Sequence, residues 1–371
     1  MKYKRFFHAG WVVVLAGLLL ALVVTPASAA HKAKAAPPVD STPIDATIYI
    51  TTNTLQSLFQ SEIDRQVPAL ANNAILSIIG KLPKQDQAWA QQMANALLQP
   101  SASLVSLTPE KDGLATSLTL SLYAGDPKPT NASMLVSFSV ADSSTIQVSA
   151  QPLNGSPTLI SGPLTTFQIP IGQLNSIATT PGCGDAALAV NLKFPVSLGH
   201  TALHSTSPAL ADPLQPRHSA ARPDMSSVPA YVEIPASSLS ALSNSIGSIS
   251  INSNLTSRNI KISVVGSDLV IDSDVYLGSS FKLGTAHTTL QPTASNGNLA
   301  VHVLSTTLTI FSIFTFPYNS YNAQIEQTLN SRLNGALAGK FYVNQAAIGS
   351  NSHVPCTASD SLVLSGTTNL G

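Results

Sequence analysis

The chain has 371 residues, of which 44% are hydrophobic and only 10% are charged. Its 18 basic residues balance 18 acidic ones, so it lacks the basic excess by which proteins bind nucleic acid or anionic membrane surfaces. We therefore exclude nucleic acid as a partner, and the solubility of the chain must rest on Ser, Thr, Asn and Gln.

Residues 1–30 have the pattern of a secretory signal peptide. Lys4 and Arg5 precede an apolar run over residues 11–24, and the small residues 27–30 follow. The apolar run is shorter than the roughly 20 residues that a membrane span needs, so we predict cleavage, with an uncleaved anchor as the alternative. The mature protein is then expected to be secreted or held in the cell envelope.

A first helix-plus-sheet unit is predicted over residues 46–198, after a disordered tether over residues 31–45. From Asn53 to Leu82 apolar residues recur at spacings of three and four, which predicts one long amphipathic helix. Pro68 is expected to bend or split that helix, because proline lacks an amide donor. Beyond residue 100 the period becomes two, which predicts antiparallel hairpins with one apolar and one hydroxyl-rich face. We expect five apolar residues of the helix to form a binding wall: Leu58, Phe59, Ile63, Ile75 and Ile79.

The second part of the chain repeats this order after a linker rich in Ala, Ser and Pro over residues 199–228. Residues 229–371 again begin with a short strand and helix, in which Val232 and Leu239 have the spacing of Ile48 and Leu55. The repeat predicts an internal duplication, with one divergent domain built from two halves as the alternative. The dipeptide Asn296-Gly297 predicts a hairpin turn. An apolar strand and an amphipathic helix supply four further wall residues: Phe314, Phe316, Ile325 and Leu329.

The two cysteines, Cys183 and Cys356, stand in corresponding loops near the ends of the two predicted units. An even number of cysteines in an exported chain favours a disulfide between them. Two free or intermolecular thiols are the alternative.

Metal binding and catalysis have little support in the sequence. Asp268, Asp272 and Asp274 offer oxygen ligands for calcium, but the alternation of Asp272 and Asp274 on a strand favours a solvated face. His200 and His204 lie in the Pro-rich linker, where no helix presents them to a metal. The sequence has no nucleophile elbow, HExxH, phosphate-binding glycine loop or CxxC motif. We therefore predict a protein that is not an enzyme and that uses no metal or cofactor, with a hydrolase of unrecognised site as the remaining catalytic alternative.

From Val232 to Gly366 the order of elements resembles the LmeA-like phospholipid-binding family of the tubular lipid-binding (TULIP) superfamily. The resemblance rests on a strand and helix with Leu239 and Leu242, alternating strands, the helix with Ile325, and a closing strand before Gly366. It implies an α+β fold in which long amphipathic helices are cradled by a strongly curved antiparallel β-sheet. In such a fold apolar side chains line a tunnel for acyl chains. The second copy, the linker and the paired cysteines depart from the family pattern.

These observations predict a secreted or cell-envelope protein that binds or transfers a phospholipid or another long-chain amphiphile without catalysis. Its acyl chains would lie in an apolar tunnel, where each buried methylene contributes about 0.8 kcal/mol, and transient contact with a membrane would follow. A cell-surface structural or adhesion protein with a filled β-rich core is the alternative function.

Overall fold

The computed structural model describes residues 42–153, 162–169, 172–196, 227–251, 254–278, 280–337 and 341–369. The predicted signal peptide and nearly all of the predicted linker lie outside the described residues. Residues 31–41 of the predicted tether also lie outside the described residues, whereas residues 42–45 belong to strand β1 (Thr42–Thr51). Its buried Ile44 and Ala46 alternate with the exposed Asp45, which is the pattern of a strand packed on one face.

The fold is α+β, and the chain divides into two compact units. Among the described residues, unit 1 comprises Thr51–Gln168 and Ile177–Leu188, and unit 2 comprises residues 42–50, Ile169–Ser176 and residues 189–369. Most of β1 therefore belongs to unit 2, although the sequence analysis placed it in the first unit. That the two units are related copies stays a prediction.

The described part of unit 1 contains two helices and a five-stranded antiparallel sheet whose strands pair in sequence order. Burial alternates along β3 and β4, as the period of two predicted. The elements are α1 (Thr52–Ile79), α2 (Lys84–Leu97), β2 (Ser101–Glu110), β3 (Gly113–Ser121), β4 (Thr130–Val140), β5 (Thr145–Pro152) and β6 (Gly162–Gln168).

Helix α1 begins where the side chain of Thr51 accepts a hydrogen bond from the amide of Thr54, and it continues through Pro68 without splitting. Of the α1 side chains that the structure describes, only Thr54, Leu55 and Ile79 are buried. A long buried stripe is therefore not confirmed. Helix α2 buries no residue.

Gln60 of α1 joins the helix to the backbone of β2. Its side-chain amide donates to the carbonyl oxygen of Ala102 at 3.1 Å and accepts from the amide of Leu104 at 2.7 Å. Because an unpaired strand edge exposes amides and carbonyls, such a side chain stands in for a neighbouring strand.

Unit 2 contains a six-stranded sheet, which we call sheet C, whose strands also pair in sequence order. Two α-helices and a short 3₁₀ turn (Asn319–Tyr321) accompany it. The elements are α3 (Ala236–Ile246), α4 (Asn322–Leu337), β10 (Ile249–Ser250), β11 (Leu255–Val265), β12 (Asp268–Leu277), β13 (Phe281–Ser295), β14 (Asn298–Ile310) and β15 (Phe314–Pro317).

A third sheet has the strand order β16-β17-β9-β1-β8-β7. In it β1 pairs antiparallel with β9, with Ile48 opposite Val232. The strands added to β1 are β7 (Gln173–Thr179), β8 (Ala186–Val196), β9 (Ser227–Ile234), β16 (Phe341–Ile348) and β17 (Leu362–Asn369).

A buried polar pair crosses the β1–β9 ladder. The hydroxyl of Tyr49 donates to the carboxylate of Glu233 at 2.7 Å, and the amide of Ala358 donates to the same carboxylate at 2.7 Å. Burial and the neighbouring carboxylate raise the pKa of Tyr49, since both disfavour the phenolate. Tyr49 and Glu233 lie 184 positions apart, the same offset as Ile48 and Val232, but the duplication itself stays a prediction.

Candidate functional site

Unit 2 contains a cavity of about 50 Å³. On the side of the sheet it is lined by Ile260, Ile271, Val275 and Leu308, which project from β11, β12 and β14. One water needs roughly 10–15 Å³ of such space, so the cavity has room for a few waters or a few methylene groups. It is far smaller than the roughly 300–1,000 Å³ of a typical small-molecule pocket.

The cavity is also lined by Ile249 of β10, by Ile251 just after it, and by Tyr318 and Ile325. Ile325 belongs to α4 and is one of the predicted wall residues. Leu329, another predicted wall residue, follows one helical turn later and is buried. Their spacing of four places both residues on one side of α4.

Four hydroxyl residues also line the cavity, and all are buried: Ser257, Ser273, Thr288 and Thr306. The hydroxyl oxygens of Thr288 and Thr306 lie 3.4 Å apart, and that of Thr306 donates to the side-chain oxygen of Asn322 at 2.8 Å. The sequence analysis assigned hydroxyls to the solvent face and missed this row. Alternation along β12 could have predicted the inward position of Ser273, because Ser273 lies midway between the inward-facing Ile271 and Val275.

Polar side chains attach α4 to the backbone of β14. The side chain of Asn330 accepts from the amide of Val301 at 2.7 Å and donates to its carbonyl oxygen at 3.3 Å. The carboxylate of Glu326 accepts from the amide of Val303 at 2.7 Å. Helix α4, which carries Ile325, is thus attached to the backbone of β14 by three hydrogen bonds.

The predicted wall residues of α1 lie in unit 1, whereas this cavity belongs to unit 2. Leu58, Phe59, Ile63 and Ile75 are half-buried, and Ile79 is buried. Their role in binding stays a prediction.

The ring of Phe59 has protein partners in unit 1. It stacks on Phe138 of β4 with ring centroids 6.5 Å apart, and Phe138 meets Phe167 of β6 edge to face at 6.5 Å. Such aromatic pairs stabilise packing beyond the area that they bury. They also account for the half-buried state of Phe59 without a ligand.

Phe314 and Phe316, predicted as wall residues, lie on β15, where every residue is exposed. Neither residue lines the cavity described above. The predicted apolar strand is present, but β15 has only four residues and lies at the edge of sheet C. A strand so short and so placed leaves both of its faces open to solvent.

The disulfide is confirmed, since Cys183 and Cys356 are both disulfide-bonded and neither is free. This excludes the free-thiol alternative and is consistent with an extracytoplasmic location. Among the helices that the structure describes, none is long and apolar enough to cross a membrane.

Two acidic residues of β12, Asp272 and Asp274, are engaged with basic or polar neighbours. Asp272 lies 2.8 Å from the imidazole of His287, and Asp274 lies 2.6 Å from the ammonium of Lys282. The amide of Asn259 and then the ammonium of Lys282 hold the pKa of Asp274 below its ordinary value. Within the described ranges no group of three His, Cys, Asp or Glu is placed to hold a metal ion.

The chain matches no protein-family model and no curated protein sequence. A solved structure described as "Crystal structure of lipopolysaccharide binding protein" aligns with 89% of this chain and 100% of its own, at 10% identity and a TM-score of 0.34. The resemblance to the LmeA-like family stays a prediction.

Proposed function

We propose that this protein binds a long-chain amphiphile without catalysis and holds the end of one acyl chain in the cavity of unit 2. The observation that carries the proposal is the lining of that cavity, in which isoleucine, valine and leucine side chains of sheet C are joined by Ile325 of α4. An acyl terminus placed there leaves water, at a gain of about 0.8 kcal/mol for each buried methylene.

Binding of more than a few methylenes requires the cavity to widen. Helix α4 is the wall best suited to move, because polar hydrogen bonds from Glu326 and Asn330 attach it to the β14 edge. Water can replace such bonds at small net cost, whereas separation of two apolar layers exposes surface. The polar head of the amphiphile stays outside, and the inward row of hydroxyls offers partners for a polar group that enters with the chain.

A cavity-filling variant tests this proposal. Ala286 lines the cavity from β13, so Ala286→Phe places a ring where the acyl terminus would lie. We expect it to reduce uptake of a fluorescent long-chain fatty acid by about tenfold or more, since it removes room for several methylenes. The matched control is Ala347→Phe, an exposed position on β16, which should bind as the unmodified protein does.

Native mass spectrometry supplies a second measurement on the same proteins. Protein purified without detergent should carry adducts of lipid mass that vanish after organic extraction. A bare mass before extraction, together with no uptake of added fatty acid, would contradict the proposal.

A filled core favours the second candidate function, a structural or adhesion protein at the cell surface. The cavity of about 50 Å³ is small, and side chains such as Leu290 and Leu299 are fully buried in unit 2. This function predicts equally low fatty-acid uptake by the unmodified protein and by Ala286→Phe, with no loss of stability on organic extraction.

A further inference from the structure

One end of sheet C exposes five large apolar side chains, and we call this cluster the apolar tip. Phe311, Ile313 and Phe314 have 59%, 75% and 64% of their surface exposed, and Leu277 and Phe281 are also exposed. The rings of Phe281 and Phe311 meet edge to face at 6.4 Å. Single exposed apolar residues are ordinary, but a contiguous cluster usually marks a binding surface.

The turn at the apolar tip runs against the local preference of its residues. Phe311 and Ser312 have φ values of 52° and 57°, a left-handed conformation that is rare for a bulky side chain. A turn with positive φ at both central residues favours Asn-Gly. The presence of phenylalanine at such an unfavourable position indicates that its side chain has a function there.

The backbone of the apolar tip is suited to a medium without water. The amide of Phe311 donates to the carbonyl oxygen of Leu283 at 3.2 Å, and that of Ile313 donates to Ile310 at 3.1 Å. The amides of Phe311 and Ile313 therefore keep their partners when the tip leaves water. Entry of the tip into a lipid phase avoids much of the cost that unpaired backbone groups carry there.

The apolar tip is continuous with the cavity of unit 2. Val275 and Leu308 line the cavity, and Leu277 and Ile310 follow them by two residues on the same strands. Two residues of strand span roughly 7 Å. An acyl chain that left a lipid layer at the tip would thus meet the cavity lining within a short distance.

The charges next to the apolar tip are paired with neighbours. The ammonium of Lys282 lies 2.6 Å from Asp274, and the guanidinium of Arg258 lies over the ring of Tyr276 at 4.9 Å. Lys282 and Asp274 offset each other, whereas Arg258 keeps its positive charge because the tyrosine ring is neutral. Of these residues a single uncompensated cation lies next to the tip, so attraction to an anionic surface is not its main driving force.

We propose that the apolar tip docks on a bilayer of zwitterionic phospholipid and inserts Phe311, Ile313 and Phe314 among the acyl chains. This inference rests on the proposed function, since the docked tip would pass an acyl chain to the adjoining cavity. Burial of the tip side chains supplies the affinity. Because the described residues beside the tip form no basic cluster, binding should depend little on salt.

Flotation with phosphatidylcholine vesicles tests the tip directly. We expect Phe311→Asn to reduce the vesicle-bound fraction several-fold, and the triple variant Phe311→Asn/Ile313→Ser/Phe314→Ser to reduce the partition coefficient about tenfold or more. Because asparagine suits the left-handed conformation, Phe311→Asn should fold at least as well as the unmodified protein.

Two controls match these variants in exposed apolar surface. Val265→Ser removes a side chain that is 61% exposed at the β11–β12 turn, at the other end of sheet C. Trp89→Gln/Met93→Gln/Leu97→Gln removes three exposed apolar side chains from α2. Both controls should bind vesicles as the unmodified protein does.

The inference would be overturned if the controls lost vesicle binding as much as the tip variants do. It would also be overturned if the protein bound only anionic vesicles and added salt abolished that binding. A third contrary outcome is self-association that the tip variants remove while vesicle binding persists. The last outcome would assign the tip to a second copy of this chain. Failure of the proposed function is distinguishable, because Ala286→Phe should lose fatty-acid uptake yet keep vesicle binding, whereas the tip variants should keep uptake from solution.

Discussion

Strand β14 has a tight turn at each of its ends. The two turns have similar backbone conformations but different kinds of residue. Asn296 and Gly297, with φ values of 50° and 77°, connect β13 to β14. Phe311 and Ser312, with φ values of 52° and 57°, follow β14 at its other end. The first pair is the one that this conformation favours, and the second pair is not.

The surroundings of the two turns explain the difference. A Cβ atom on Gly297 would lie 2.2 Å from the ring of Tyr342, and the amide of Val343 donates to the carbonyl oxygen of Gly297 at 2.9 Å. This turn is packed against β16, so its residues serve folding. The side chains of Phe311 and Ile313 are instead mostly exposed, and the edge-to-face contact with Phe281 leaves 59% of Phe311 exposed. In β14 the residues thus follow the local backbone preference at the enclosed turn and depart from it at the exposed turn.

Gly297→Ala should have the largest effect on stability. The variant adds strain at a positive φ and forces Tyr342 to move, so we expect a loss of about 2–4 kcal/mol in the free energy of unfolding. Urea denaturation measures it. Gly266→Ala is the matched control, because Gly266 also has a positive φ of 62° but its Cβ would meet nothing within 4 Å. Equal losses in the two variants would show that Gly297 is not enclosed.

Asn330→Leu tests whether α4 helps to seal the middle of β14. It leaves the amide and carbonyl of Val301 without this partner, and we expect a loss of about 2 kcal/mol in the free energy of unfolding. Gln327→Leu, at an exposed position of the same helix, is the control. Thermal unfolding that is unchanged by Asn330→Leu would contradict the role of α4 at this edge.

Ser312→Gly should stabilise the exposed turn, because glycine adopts positive φ without steric cost. We expect a gain of about 0.5–1 kcal/mol in the free energy of unfolding, measured by urea denaturation. Ser305→Gly, in the extended part of β14, should instead destabilise. A loss of stability in Ser312→Gly would mean that the serine side chain stabilises the turn. That result would contradict the contrast drawn between the two turns of β14.

The ion pair beside the apolar tip should give the smallest effect, which depends on pH. Asp274 has its pKa held below the ordinary value of 3.8, so its contribution to stability is present above that pH and is lost as the pH falls through the lower, folded-state value. Unfolding measured from about pH 6 down to about pH 3 should show a shallower decline for Asp274→Asn than for the unmodified protein. Identical pH profiles would contradict this assignment.

Local sequence patterns predicted several elements correctly. The period of two placed the hairpin strands of both units, since alternation survives whenever one face of a strand is buried. Asn296-Gly297 forms the predicted hairpin turn because few other dipeptides tolerate its backbone conformation. The cysteine count predicted the disulfide, which redox chemistry favours in an exported chain.

Predictions of which side chains are buried were less successful, because burial depends on a neighbouring element. The spacing of apolar residues on α1 predicted a buried stripe, yet among its described side chains only Thr54, Leu55 and Ile79 are buried. Periodicity shows which residues share a face, but burial also requires a partner surface over the whole length of the helix. The exposure of Phe314 has the same origin, because nothing in its own strand shows that β15 lies at an edge.

The sequence was enough to predict the strand-rich α+β class, the low content of charged residues, the turn at Asn296-Gly297 and the disulfide, because each depends on composition or on residues close together in the chain. The three-dimensional structure was needed to show that Thr288 and Thr306 line the same cavity as Ile325, that Asn330 joins α4 to β14, and that Phe311 contacts Phe281 at one end of sheet C. Those contacts join residues far apart in the chain, and they depend on strand register and edge position, which no local pattern encodes.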